Sequence, residues 1–115
     1  MDMQKLHQFA EKYYQLYKNP NTRDRDVFEG FAEECFSLGL KSDLGKSFVE
    51  AYSQEAADYP EALKAIAHAI NNPQLLGNAI FSKWRFITHW AESSLLDDNY
   101  RKWFIIALRR LCEIT

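Results

Sequence analysis

The chain has 115 residues, of which 47% are hydrophobic and 26% charged, and its net charge is −2. That length suits one domain. The composition excludes a disordered tail, and the small charge provides no global field for nucleic acid or a membrane surface.

No apolar stretch approaches the roughly 20 residues a membrane-spanning helix needs. The start, Met1-Asp2-Met3-Gln4-Lys5, has no basic run followed by an apolar one, so it does not resemble a secretory leader. Cys35 and Cys112 both fall on or beside apolar helix faces. They read as free thiols of a reducing, cytoplasmic compartment.

Apolar residues recur at helical spacing almost everywhere, and strand-like alternation is never sustained. A first helix is expected over 2–18, with Leu6, Phe9, Ala10, Tyr13, Leu16 and Tyr17 on one face. Pro20 ends it, because proline disfavours helix in the residue before it. A second begins near Asp24 or Asp26 and buries Phe28, Phe31, Ala32, Cys35 and Leu38, with Gly39 as its stop. Gly30 falls inside this helix on its polar side, where it costs ~1 kcal/mol against alanine with no packing gain.

Ser42 is the expected cap of a third helix. Leu44, Phe48, Tyr52, Ala56 and Tyr59 would line one side of it. Pro60 and Pro73 suit the first positions of a fourth and a fifth, where a missing N–H costs nothing. The fourth buries Leu63, Ile66, Ala67 and Ile70. The fifth spans 73–93 and a sixth 98–114, with Asp97 or Asp98 as cap. Gly45 and Gly77 lie beside apolar faces, where a missing side chain lets another helix approach. The expected fold is all-α: a single compact bundle of five or six helices, the last two forming an antiparallel hairpin.

The fifth helix is unusual. Leu76, Ala79, Ile80, Trp84, Phe86, Ile87, Trp90 and Ala91 cover about 200° of it, twice the arc a surface helix needs. It is expected to be central or to lie under a partner. Lys83 falls within the arc, which requires its ammonium to snorkel to water or to meet a carboxylate such as Glu33, Glu34 or Asp97. The opposite strip carries Ser82, Arg85, His89 and Glu92 on one line.

Signatures of chemistry are missing. His7, His68 and His89 lie on three different helices, and there is no Cys-x-x-Cys pair. His89 and Glu92 are the one local pair with metal-ligand spacing, and their order is the reverse of the bundle carboxylate sites. The four glycines cannot form a phosphate loop, and no Gly-x-Ser-x-Gly elbow occurs. No cofactor or metal is expected.

Charge is uneven. Residues 1–73 carry 8 basic and 12 acidic groups, whereas 74–115 carry 6 basic and 4 acidic ones. In the second part Lys83, Arg85, Arg101, Lys102, Arg109 and Arg110 are interleaved with Trp84, Trp90 and Trp103. Tryptophan and arginine are favoured at protein interfaces. Ile105 and Ile106 also sit off the centre of the last helix's stripe.

The reading is a protein-interaction module, an adaptor or inhibitor. Its partner is another protein or a second copy, and its binding residues are Lys83, Arg85, His89, Trp90 and Glu92. The alternatives are a nucleic-acid regulator using the basic, Trp-rich hairpin and a small enzyme with a pocket near Lys83 and His89. No membrane partner is expected.

Overall fold

The structure is a computed structural model and describes residues 1–91 and 93–115. Among them it holds eight α-helices and one 3-10 turn, and no strand. The helices are α1 (Met3–Lys18), α2 (Asp24–Phe28), α3 (Phe31–Ser37), α4 (Lys46–Ala51), α5 (Gln54–Asp58), α6 (Pro60–Ile66), α7 (Pro73–Trp90) and α8 (Asp98–Ile114). The 3-10 turn, Ala67–Ala69, continues α6. The chain is an all-α bundle, with two of the six expected helices each divided in two.

Both divisions have local causes. Gly30 adopts φ +76° and stands at the N-terminus of α3, so the helix expected to run through it stops and restarts. This left-handed conformation is the reason for a glycine at that place. The break also changes which residues face inward. Val27 is buried, while Phe28 is 51% exposed rather than part of the stripe. Asp26, the third residue of α2, accepts from the Arg23 N–H at 2.8 Å. The other end behaves as expected. The N–H groups of Gly39 and Leu40 donate to the carbonyls of Phe36 and Cys35 at 3.0 and 2.9 Å, closing α3.

The second division falls at Tyr52 and Ser53. Ser53 Oγ accepts from the Ala56 N–H at 3.1 Å and starts α5. The cap of α4 is not Ser42. Asp43 Oδ2 accepts from the Ser47 N–H at 3.1 Å, and Asp43 Oδ1 accepts from the Gly45 N–H at 3.1 Å. Leu44 and Gly45 sit in this turn at φ +62° and +78°. Gly45 therefore serves backbone geometry and not helix packing, since a Cβ there would meet nothing within 4 Å. At Gly77 it is the side chain of Leu40, between α3 and α4, and not another helix that comes close: a Cβ there would lie 2.6 Å from Leu40 Cδ2.

The core joins the two ends of the chain. α1 runs antiparallel along α8, with His7 Nδ1 sharing a hydrogen bond with Thr115 Oγ1 at 3.0 Å and Tyr17 stacked on Phe104 at 4.7 Å. Arg101 donates to the Tyr17 and Asn19 carbonyls at 2.8 and 2.6 Å, satisfying the end of α1. Arg110 donates to the carbonyls of Ile70 and His68 at 2.9 and 3.1 Å and to Asn71 Oδ1 at 2.8 Å. α7 also packs against α8. No helix among the described residues is long and apolar enough to cross a membrane.

Candidate functional site

α7 starts at Pro73, with Asn72 Oδ1 accepting from the Leu75 N–H at 3.1 Å. Its inner face buries Leu76, Ala79, Ile80, Trp84 and Ile87. Trp84 stacks on Phe31 at 4.9 Å and donates its indole N–H to the Val27 carbonyl at 2.9 Å. The wide apolar arc is therefore partly core. Its other edge is bare: Phe86 is 49% exposed and Trp90, one turn later, is 74% exposed.

Beside Phe86 lies a cavity of about 180 Å³ between α4, α5, α7 and α8. Leu44, Phe48, Val49, Ala79, Phe86 and Trp103 supply its apolar wall, and Gln54, Asp58, Ser82 and Lys83 its polar atoms. Leu44 stands at the rim, 80% exposed, on backbone that a branched side chain seldom adopts. Trp103 is buried and donates its indole N–H to the Ala56 carbonyl at 2.9 Å.

Lys83 is half-buried and forms no ion pair with Glu33, Glu34 or Asp97. Its Nζ donates to the Ala57 carbonyl at 2.7 Å and lies 5.1 Å from the centre of the Trp103 ring and 5.7 Å from that of Tyr100. A carbonyl dipole and two π faces all favour the cation. Burial acts against it and lowers the pKa, while the negative charge of Asp58 pushes it back up. Among the described residues no carboxylate forms an ion pair with Lys83. Asp58 is instead held by Gln54 Nε2, at 3.1 Å to each oxygen. Glu34 pairs with Lys12 at 2.8 Å and accepts from the Tyr13 hydroxyl.

The polar strip expected on α7 divides. Ser82 is buried, its hydroxyl 3.5 Å from Asp43 Oδ1. Arg85 and His89 are exposed and do not line the cavity. Glu92, and with it the His89–Glu92 pair, lies outside the described residues. Of the pair near which a pocket was expected, Lys83 lines the cavity and His89 does not.

Sequence reasoning missed Leu44, Asp58 and Trp103, which line the same cavity as Lys83, and Asp43, which meets Ser82. The Asp43-x-Gly45 turn signal was available, but the closeness of 57 and 58 to 83 arises only from packing. Ile105 and Ile106 are half-buried in a shallow groove against Pro60 and Ala67 on the far side of α8. Cys35 is a buried free thiol and Cys112 a half-buried one. No family model, curated protein or solved structure matches the chain.

Proposed function

We propose that the chain is a protein-interaction module, an adaptor or inhibitor of the cytoplasm, which docks a protein partner against the edge of α7. The observation that carries this reading is Trp90: it is 74% exposed one turn from Phe86, on a helix whose other face is core. Neighbouring exposed aromatics on one ridge mark interaction surfaces more often than singly scattered ones do. Leu44 supports the same face, because it holds an apolar side chain in water on strained backbone. Arg85 and His89 border this ridge, and the C-terminal part of the chain is net basic, so the partner would present an apolar knob with an acidic rim.

The nucleic-acid reading draws less support. Trp84 and Trp103 are core residues, and Arg101 and Arg110 are engaged with backbone carbonyls. That leaves one exposed tryptophan and no continuous basic–aromatic track among the described residues.

The test is capture of partners by the intact chain from its own cells after nuclease treatment, repeated with Trp90→Ala, Leu44→Asn and Arg85→Glu. A stoichiometric protein held by the wild type and lost from Trp90→Ala and Leu44→Asn supports the reading. Equal capture by all variants, or loss of the captured material with nuclease, overturns it. A stable dimer of the isolated chain that Trp90→Ala dissolves would replace the foreign partner with a second copy.

A further inference from the structure

The cavity beside Lys83 has a chemistry of its own. Its wall is mostly apolar, it holds about 180 Å³, and it reaches the surface between Leu44 and Phe86, both of them exposed. That volume accommodates about one six-membered ring or a branched chain of similar size, since a cavity of about 150 Å³ holds benzene. A ligand of this size would rest on Phe48, Val49 and Ala79, with the indole of Trp103 at its inner end.

One cation serves this space. An ammonium has three N–H donors, and Lys83 Nζ uses one of them on the Ala57 carbonyl. The π faces of Trp103 and Tyr100 hold the group in place. The group is half-buried, which favours a counter-ion, and among the described residues none is in ion-pair contact. Asp58 lines the same cavity, but its carboxylate is turned to the Gln54 amide. A preformed apolar recess with one convergent charge is the usual form of a small-ligand site.

We propose that this cavity binds a small organic monocarboxylate, with the apolar body against Phe48, Val49 and Ala79 and the carboxylate on the two free donors of Lys83. The proposal does not depend on a protein partner at Trp90. Asp58 sets a limit on the ligand: a second negative charge would meet it, so dicarboxylates are disfavoured.

The test is titration of the isolated chain with benzoate and, separately, with its neutral isostere benzamide, followed by backbone and indole NMR shifts. Benzoate should saturate with a Kd of about 0.1–1 mM, as befits a ligand of this size. The shifts should centre on Phe48, Val49, Ala79 and the Trp103 indole. Benzamide should bind at least tenfold more weakly. Lys83→Met keeps the stem and should lose benzoate binding at least tenfold, whereas Asp58→Asn should tighten it about threefold by removing a like charge near the surface. Equal binding of benzoate and benzamide would overturn the proposal. So would shifts that do not saturate by ~10 mM, or a folded Lys83→Met that binds as the wild type does. Should Lys83→Met fail to fold, the comparison of acid with amide on the wild type decides alone. Binding at this cavity with Trp90→Ala unchanged separates the outcome from that of the docking face.

Discussion

The indole N–H of Trp84 donates to the Val27 carbonyl at 2.9 Å, across 57 positions of sequence. Val27 belongs to the short α2, so this bond ties α2 to the middle of α7. Stacking of the same ring on Phe31, and on Phe28 at 5.4 Å, completes the tie. Replacing Trp84 by Ala should cost ~3–5 kcal/mol of stability in chemical denaturation. Trp84→Phe should retain much of the packing but leave the Val27 carbonyl unpaired, at a cost of ~1–3 kcal/mol. Unchanged denaturation midpoints for both would mean that α7 buries a different side.

Two tyrosines of α1 should respond oppositely to loss of their hydroxyls. Tyr17 is fully buried, and its hydroxyl has no hydrogen-bond partner among the described residues. Tyr13 donates to Glu34. Tyr17→Phe should leave stability unchanged or raise it by up to ~1 kcal/mol, because a desolvated, unpaired group is removed. Tyr13→Phe should lower it by ~1 kcal/mol. Thermal denaturation of the pair side by side checks the contrast.

Gly30→Ala should destabilise. The added Cβ meets nothing within 4 Å, so the cost is conformational: φ +76° is unfavourable for an L-residue by ~1–2 kcal/mol. Had Gly30 lain within a continuous helix, the same change would have stabilised it by ~1 kcal/mol. The sign of the change in Tm therefore tells a broken helix from a whole one.

Lys83 should carry a stability cost at neutral pH. Burial lowers its pKa in the folded chain. Between the folded and unfolded pKa values the unfolded chain binds more protons, so this group's contribution rises with pH there. Below the folded value the cost is fully present. Above the unfolded value it vanishes, because the amine is then neutral in both states. The stability of the wild type relative to Lys83→Met should thus rise as pH climbs towards the ordinary lysine range. A difference that is constant with pH would show that charge is not its cause.

Trp90→Ala should change stability by no more than about 0.5 kcal/mol, as for a surface residue outside any network. Leu44→Asn should hold or raise Tm, because Asn tolerates left-handed backbone better than Leu. A clear loss of stability in either variant would place these side chains in the core and remove the bare ridge.

The helical character of the chain is local and was legible in the sequence. Periodic apolar residues, Pro60 and Pro73 at helix starts, and Gly39 at a helix end act within a few residues of themselves. So does the burial of Leu6, Phe9, Tyr13 and Tyr17 along α1, since four turns of regular spacing leave one choice of face. The short helices were harder to read. Phe28 and Leu44 each fit an apolar stripe at helical spacing, yet a left-handed residue at Gly30, and at Leu44 itself, redirects the chain beyond it.

Residue pattern alone is enough to make this chain helical, to place most of the helix ends roughly, and to choose the buried face of α1. Packing between distant segments sets the rest: α1 lies along α8, Arg101 and Arg110 satisfy backbone carbonyls, and Phe86 and Trp90 stay bare while Trp84 and Trp103 are covered. The environment of Lys83 belongs to that second group. Helix period sets the direction of a side chain relative to its own axis. Whether water, a carboxylate or a backbone carbonyl waits in that direction depends on residues 26 positions away, brought there by packing.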